Sequence, residues 1–212
     1  MLVSFEGIDG SGKSTQARLL VERAKEEDWH PLLVREPGGT GLSERVRSLL
    51  LDADAHILPR AELLLFSAAR AQLVDEVIRP ALDASRLVIA DRFYDSTTAY
   101  QGAGRDLAGP AWLRDFHAFV TGDLAPARTY LVDVPLDVAD ARRGPERDRM
   151  EGAGATFFER VRAAYLALAD AEPERIRVLD GTRPVEELHA EIAHDVERLL
   201  ATPRGTGSEP AG

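Results

Sequence analysis

The sequence contains no cysteine among its 212 residues. Disulfide bonds, thiol nucleophiles and cysteine metal sites are therefore excluded. No apolar run is long enough to cross a bilayer, and the N-terminus lacks a basic segment followed by an apolar one. We expect a cytoplasmic protein that has no membrane partner.

A surplus of basic residues is also missing, because the formal net charge is −10. Proteins that bind polymeric nucleic acid usually carry a basic face, so DNA and RNA are not expected partners. Small nucleotides are compatible with this charge, since a few local arginines suffice to bind their phosphates.

The length predicts a single domain over residues 1–201. The tail, 202–212, is rich in Gly, Pro and Ser and is predicted to be disordered.

The most informative stretch is FEGIDGSGKST, residues 5–15. Within it, Gly7, Gly12, Lys13 and Ser14 fit the pattern G-x-x-x-x-G-K-[ST], between a strand-like run and a helical pattern. Such glycines let backbone amides converge on an anion, the lysine reaches the β- and γ-phosphates, and the serine hydroxyl reaches Mg²⁺. The alternative is a glycine turn with a solvated lysine. The strand–loop–helix context favours a nucleoside triphosphate site, a P-loop.

Strand-like segments alternate with helical patterns along the whole chain. After the first strand, the sequence predicts strands at 32–36, 86–92, 128–134 and 175–181, and helices at 42–51, 60–83, 110–121, 135–143, 155–171 and 184–201. This alternation predicts an α/β fold with a five-stranded parallel sheet and helices on both faces, as in P-loop NTPases. Ligands of such sheets bind beyond the carboxyl ends of the strands. The segments expected at this edge are Gly7–Thr15, Glu36–Thr40, Asp91–Arg92 and Asp133.

The end of the strand at 86–92 carries an acidic and a basic residue in succession. Asp91 stands where a Walker-B-type carboxylate would meet Mg²⁺, and Arg92 could bind a second phosphate. The alternative is an Asp–Arg pair on the surface at the end of a strand.

An aromatic and a basic residue share one face of the helix predicted at 60–83. Phe66 and Arg70 are four residues apart, so a ring and a guanidinium could stack on a base and hydrogen-bond to its edge. The alternative is a core phenylalanine and a solvated arginine.

The segment ARRGPERDRM, residues 141–150, concentrates arginines around a glycine and a proline. These arginines are Arg142, Arg143, Arg147 and Arg149. A basic, hinged segment of this kind could close over phosphates as a short lid, at about 141–152. The alternative is a charged, solvated loop. Phosphoryl transfer needs positive charge on the transferred group, and the P-loop contains no arginine, which favours the lid.

The order of these motifs resembles that of bacterial thymidylate kinases. The chain shows FEGIDGSGKST, REPGGT at 35–40, LLLFSAAR at 63–70, DRFYDSTTAYQG at 91–102 and then the arginine-rich segment. The resemblance covers almost the whole chain up to the tail. It implies a homodimer that uses Mg²⁺ and transfers the γ-phosphoryl group of ATP to dTMP, giving dTDP and ADP.

On the acceptor side, the resemblance assigns roles around dTMP. It implies that Asp9 contacts the sugar 3′-hydroxyl and helps to organise the metal, that Phe66 stacks on thymine and that Arg70 bonds to its O4. Tyr100 would disfavour a 2′-hydroxyl, and Arg92 would hold the phosphate. The implied dTMP-binding set is Asp9, Glu36, Pro37, Arg47, Phe66, Arg70, Arg92, Thr97, Tyr100 and Gln101.

On the donor side, the resemblance implies contacts from the P-loop, the lid and the GTR segment at 181–183. The implied ATP-binding set is Gly7, Ile8, Asp9, Gly10, Ser11, Gly12, Lys13, Ser14, Thr15, Arg142, Arg143, Thr182 and Arg183. Since the P-loop has no arginine, the chain is similar to the family members whose catalytic arginine lies in the lid. The expected catalytic residues are Lys13, Arg92, Arg147, Arg149 and Asp9, and the expected metal ligands are Ser14, Asp91 and Asp9.

Two other functions stay open from the sequence. One is a kinase for another nucleoside monophosphate, because the residues at the base edge indicate a pyrimidine only through the resemblance. The other is a P-loop regulatory ATPase, although neither an N-K-x-D motif nor an L-S-G-G-Q motif is present. ATP consumption that requires a monophosphate acceptor distinguishes a kinase from a regulatory ATPase.

Overall fold

The computed structural model describes residues 1–143 and 154–202. Its strands are β1 Leu2–Glu6, β2 Pro31–Arg35, β3 Leu87–Asp91, β4 Arg128–Asp133 and β5 Ile176–Asp180. They form a 5-stranded sheet in the order β2-β3-β1-β4-β5, and every neighbouring pair is parallel. The predicted parallel α/β sheet is therefore confirmed, and the strands begin and end close to their predicted bounds.

The helices are α1 Lys13–Glu26, α2 Gly41–Leu51, α3 Pro59–Leu73, α4 Arg79–Asp83, α5 Tyr94–Thr97, α6 Pro110–Thr121, α7 Leu136–Arg142, α8 Ala155–Ala171 and α9 Val185–Ala201. A π-helical turn, Val74–Ile78, joins α3 to α4, so the helix predicted at 60–83 is interrupted. A second π-helical turn, Thr98–Gly104, extends α5, and the sequence predicted no helix there. The segment 94–104 contains Asp, Ser, Thr and Gly, which are weak helix formers, and it is held by packing of Ala99 and Tyr100 against α8.

The alternation of side chains along β1 divides the core between the two faces of the sheet. Val3 and Phe5 point to one face and pack against Leu20 of α1 and Ile192 of α9. Leu2 points to the other face, which α3 and α4 cover together with their π-helical turn. Successive residues of a strand point to opposite faces, so a fully apolar strand needs helices on both sides.

The central strand determines where the site forms. β1 lies between β3 and β4, with Phe5 opposite Asp91 and Glu6 opposite Leu131. The chain leaves β1 for β2 on one side of the sheet and later returns to β4 on the other, so the loop after β1 lies at a switch point, where a crevice opens. Among the described residues, no helix has the length and apolar character needed to cross a membrane.

Candidate active site

The loop after β1 is held tightly against its neighbours at two glycines. Gly7 has φ 138°, and a Cβ there would lie 2.5 Å from the carbonyl oxygen of Val132. Gly10 has φ 85°, and a Cβ there would overlap the carbonyl oxygen of Ala139. Both clashes would be with backbone, which cannot move aside as a side chain can. The close fit fixes the path of the loop into the N-terminus of α1, an end of a helix that favours a bound anion.

Asp9, inside this loop, forms ion pairs with two basic side chains. Arg92 Nη2 lies 2.7 Å and Lys13 Nζ 3.3 Å from Asp9 Oδ1. The Tyr100 hydroxyl donates to Asp9 Oδ2 at 3.2 Å. Burial alone would raise the pKa of Asp9, but Arg92 and Lys13 hold it well below its usual range. Burial and the charge of Arg92 lower the pKa of Lys13. The negative charges of Asp9 and Asp91 act in the opposite direction and raise it in part.

Arg92 is fixed in a backbone conformation that few side chains adopt. Its φ is 72°, in the left-handed region, where a non-glycine residue carries a strain that is often found at functional sites. Its Nη1 donates to Ser96 at 3.0 Å and to Tyr165 at 3.3 Å, and its guanidinium stacks 5.0 Å from the ring centre of Tyr100. Although burial opposes it, Tyr100 and Asp9 raise the pKa of Arg92 well above its usual value. This cation stays charged at the end of β3.

A buried glutamate, Glu6, lies behind Arg92. Its carboxyl group accepts hydrogen bonds from the Phe93 amide at 2.7 Å, the Ser96 hydroxyl at 2.6 Å and the Tyr165 hydroxyl at 2.8 Å. Burial and the nearby Asp95 charge raise the pKa of Glu6 to about 7. The sequence interpretation missed Glu6, although an acidic residue at the end of an otherwise apolar strand is a usable signal.

The raised pKa of Glu6 leads to a prediction about stability. The unfolded chain loses this proton near pH 4.5, whereas the folded protein keeps it up to about pH 7. The contribution of Glu6 is therefore complete below pH 4.5 and is lost as the pH rises through about 7. We expect the free energy of unfolding, relative to that of Glu6→Gln, to fall by an amount on the order of 3 kcal/mol over this range. Urea unfolding of both proteins measures it, and parallel pH profiles would contradict the assignment.

An open cleft begins at Asp9 and runs over β3 between α2, α3 and the α5 segment. It encloses about 590 Å³ of empty space, a volume that includes open solvent at its mouth. The residues that line it are Asp9, Glu36, Pro37, Arg47, Leu51, Phe66, Arg70, Arg92, Ser96, Thr97, Tyr100 and Gln101. Every residue expected around dTMP is on the wall of this one cleft. Leu51 and Ser96 were not expected, although Ser96 lies only four residues after Arg92 and accepts a hydrogen bond from it.

Arg70 forms the floor of the cleft at the end away from Asp9. Its side chain is 1% exposed, and its Nε donates to Glu36 Oε2 at 2.6 Å. Its Nη1 donates to Thr97 Oγ1 at 2.9 Å and its Nη2 to the Phe93 carbonyl oxygen at 3.2 Å. Burial raises the pKa of Glu36, an effect that Arg70 opposes. The solvated arginine considered from the sequence is therefore wrong, because Arg70 is a buried and oriented donor.

A second cleft opens on the other side of the P-loop, between α1, α7 and the loop after β5. The residues that line it are Ser11, Gly12, Thr15, Gln16, Val132, Arg142, Gly181, Arg183, Val185 and Leu188. Arg142 Nη1 donates to the Gly181 carbonyl oxygen at 3.0 Å, and Gln16 Nε2 donates to that of Val185 at 2.9 Å. Gln16 was not expected, although it directly follows the P-loop pattern.

The other residues expected around ATP do not all lie at the second cleft. Arg183 pairs with Glu191 at 2.9 Å on the rim of the second cleft, and the Thr182 hydroxyl bonds to Asp180. Arg143 does not line the second cleft, because its guanidinium pairs with Asp140 and packs over the ring of Phe158. Arg147 and Arg149, and most of the expected lid, lie outside the described residues.

Asp133 lies at the expected edge of the sheet, but it does not line either cleft. Arg162 of α8 donates to both of its carboxylate oxygens at 2.7 Å. The expectation that Asp133 faces the crevice is therefore wrong, because a partner from α8 takes up its charge.

Two side chains near the P-loop offer oxygen atoms of the kind that Mg²⁺ prefers as ligands. Ser14 lies in the first turn of α1, and Asp91 ends β3 close enough to Lys13 to raise its pKa. Within residues 1–143 and 154–202, no hydrogen bond or ion pair engages either side chain, and no group of three or more acidic, His or Cys residues is placed to hold a metal. Mg²⁺ commonly takes one or two protein oxygens together with substrate phosphates, so this pair fits it.

The fold and the site together define a P-loop phosphotransferase. A complete P-loop lies at the switch point of a parallel sheet, and its residues contribute to the walls of two clefts. One cleft is lined by the arginines Arg70 and Arg92, and the other lies against the helix N-terminus that binds triphosphates in this class. The site is thus built to bring two phosphorylated ligands together.

Comparison with known proteins identifies the family. The sequence profile of thymidylate kinase matches residues 5–192. The thymidylate kinase of Chlorobium chlorochromatii is 47% identical over 94% of this chain and 96% of its own, and that of Deinococcus radiodurans is 48% identical over 91% and 94%. The crystal structure of thymidylate kinase from Ehrlichia chaffeensis matches with a TM-score of 0.76 at 35% identity, over 93% of this chain and 98% of that one. The chain belongs to the thymidylate kinase family, so the predicted family, fold and enzyme class are confirmed.

Proposed function

We propose that the thymidylate kinase reaction takes place between the two clefts, with dTMP in the first and ATP in the second. Membership of the family makes this reaction the transfer of the γ-phosphoryl group of ATP to dTMP, giving dTDP and ADP. The observation that carries the placement is the wall of the first cleft, where a base-sized floor at Arg70 is joined to a cationic end at Arg92. That end directly adjoins the P-loop.

The first cleft supplies a contact for each part of dTMP. Phe66 is half-buried one helical turn before Arg70, so its ring can cover the base while Arg70 donates to O4. Thr97 and Gln101 lie at the base edge, and Tyr100 packs by the sugar and disfavours a 2′-hydroxyl. Asp9 accepts from the 3′-hydroxyl, and Arg92 binds the phosphate. Glu36, Pro37 and Arg47 complete the wall, where Arg47 Nη1 donates to the Pro37 carbonyl oxygen at 3.0 Å.

The second cleft supplies the contacts for ATP. The amides from Gly7 to Thr15 surround the phosphates, and Lys13 neutralises the transferred group. Arg142 and the segment at Thr182 and Arg183 border the adenine. The lid arginines, Arg147 and Arg149, retain their predicted catalytic role at the transferred phosphoryl group, whereas Arg143 is given no role because it pairs with Asp140 outside the second cleft. Lid closure would exclude water, which otherwise competes with dTMP for the phosphoryl group.

Mg²⁺ is the proposed cofactor, held by Ser14 and Asp91 with Asp9 nearby. When bound, it would neutralise negative charge on the phosphates of ATP. No protein base is required, since a phosphate monoester is largely ionised at neutral pH and is already a nucleophile. The residues of the chain therefore position two anions in line and offset their repulsion. Arg92 does this for the acceptor and Lys13 for the donor.

Replacing Arg70 with alanine tests the orientation of dTMP. We expect KM for dTMP to rise at least about tenfold, the cost of losing one charged hydrogen bond, and KM for ATP to change little. Arg79→Ala is the matched control, because Arg79 also bonds to a backbone carbonyl, at Thr121, but lines neither cleft. Equal increases in both KM values for Arg70→Ala would remove Arg70 from the base site.

We further propose that two copies of the chain pair through α3 and α6. These helices pack together, and their outer surface carries Leu64 at 55%, Trp112 at 53% and Phe119 at 85% exposure. Apolar side chains this exposed are typical of an interface. Sedimentation equilibrium should give twice the chain mass of 23.2 kDa, and a monomer at micromolar concentration would contradict the pairing. We place the enzyme in the cytoplasm, where its two substrates occur.

A further inference from the structure

Glu62 is a fully buried acid at the start of α3. Its exposure is 0%, and it precedes Phe66 by one helical turn and Arg70 by two, so the three side chains share one helix face. Burying a carboxylate is costly unless it is paired and hydrogen-bonded. Arg105 pairs with it at 3.3 Å, and Gln101 Nε2 donates to its Oε1 at 2.8 Å.

The contact with Glu62 fixes the direction of the Gln101 amide. A carboxylate paired with an arginine only accepts hydrogen bonds, so Gln101 must turn its NH₂ end to Glu62. Its carbonyl oxygen is then at the opposite end of the group. Gln101 lines the first cleft, and within residues 1–143 and 154–202 its side chain makes no hydrogen bond other than the one from Nε2 to Glu62. The cleft wall thus presents an acceptor at this point, beside the donors of Arg70.

We propose that Glu62 is a positioning residue that selects a thymine-type base against cytosine by holding the carbonyl oxygen of Gln101 toward the acceptor base. This inference rests on the proposed placement of dTMP in the first cleft. Thymine offers an acceptor, O4, beside a donor, N3–H, and Arg70 and Gln101 supply the matching donor and acceptor. Cytosine offers the reverse pattern, an N4 amine beside an unprotonated N3. If Gln101 is fixed, the N4 amine of cytosine faces the donor Arg70, and its unprotonated N3 faces the carbonyl oxygen of Gln101, so neither pair can form a hydrogen bond.

The variant Glu62→Gln separates orientation from packing. It keeps the volume and the hydrogen bond to Gln101, but its amide can either accept or donate, so Gln101 can reverse. We expect the ratio of kcat/KM for dCMP to that for dTMP to rise at least about tenfold, because one hydrogen-bond mismatch is removed. A purely structural role would lower both values together and leave the ratio unchanged, which would overturn the proposal.

Arg105→Met is the matched control for the lost ion pair. It removes the charge of Arg105 but leaves the carboxylate of Glu62 in contact with Gln101. We expect the acceptor ratio of this variant to stay within about twofold of wild type, since its change should be less than one hydrogen bond is worth. A tenfold rise in Arg105→Met would show that the ion pair, rather than the orientation of Gln101, sets the selectivity, and would overturn the proposal.

An exchange of the two residues provides a rescue test that does not depend on the single variant. In the double variant E62Q/Q101E, the amide at position 62 donates to a carboxylate at 101, and the second oxygen of that carboxylate faces the cleft as an acceptor. We expect its preference for dTMP to return to within about threefold of wild type, less than the effect of one hydrogen bond. A dCMP preference in the exchanged chain would overturn the proposal. Wild-type enzyme that failed to phosphorylate dTMP would instead refute the proposed function.

Discussion

The Lys13→Ala variant is expected to lose at least about a hundredfold in kcat, the usual effect of removing one electrostatic stabiliser of a transition state. Lys13 is 6% exposed at the start of α1, and its ammonium group is already oriented by Asp9 at 3.3 Å. It is the cation within the P-loop itself, and catalysis of phosphoryl transfer depends on positioning and on neutralising the charge that develops on the phosphates in the transition state. The KM for dTMP should change much less than kcat, because the acceptor contacts lie on the other side of Asp9.

The chain contains a matched control for this variant. Lys25, the only other lysine, is exposed near the end of the same helix and pairs with Glu22. Lys25→Ala should keep kcat within about twofold, as expected for a solvated charge. Steady-state kinetics with saturating dTMP and ATP measures both variants. Near-normal kcat in Lys13→Ala would contradict the assignment of residues 5–15 as the phosphate site.

The second large effect is expected at Arg92. Its replacement by alanine should lower kcat/KM for dTMP by about a thousandfold, as for other arginines that neutralise a phosphoryl group during transfer. The variant also leaves Asp9 with Lys13 alone, so an acidic side chain would then face the acceptor phosphate. The KM for ATP should rise much less than the KM for dTMP.

Arg92→Lys tests whether charge alone is sufficient. The guanidinium contacts Asp9, Ser96, Tyr100 and Tyr165 at once, which one ammonium group cannot do. We therefore expect lysine to recover no more than about a tenth of the lost kcat/KM, because most of the fixed geometry is still missing. Thermal unfolding of both variants separates a folding defect from a catalytic one. Full activity in Arg92→Lys would show that geometry at this position does not matter.

The P-loop and the sheet were predictable because their signals are local. Four residues of the P-loop pattern appear at fixed spacing, and strands buried on both faces read as short apolar runs. The residues that line the first cleft could not be predicted from local patterns alone. Phe66 and Arg70 alone did not distinguish a base site from a core residue and a surface charge, and only the resemblance to a family joined them to Thr97 and Gln101.

The residues that were missed act through partners that are distant in the chain. Glu6 meets Tyr165, and Glu62 meets Gln101, through contacts that no local pattern reports. The π-helical turn that extends α5 was missed for a related reason, since this glycine-containing segment is held by packing against α8. Arg70 was predicted as a candidate, but its burial was not predictable from the sequence. An arginine is expected at the surface unless a buried acid pairs with it, and Glu36 is that acid here.

The most direct test of the proposed reaction is an ADP-release assay with ATP, Mg²⁺ and a panel of acceptors, namely dTMP, dUMP, the ribose form of TMP, CMP, AMP and GMP. We predict strong turnover with dTMP, weaker turnover with dUMP and with the ribose form, and loss of turnover when EDTA removes the metal. Preference for another acceptor would contradict the placement of Phe66, Arg70 and Tyr100 around thymidine. ATP hydrolysis at the same rate without any acceptor would contradict the kinase reaction itself.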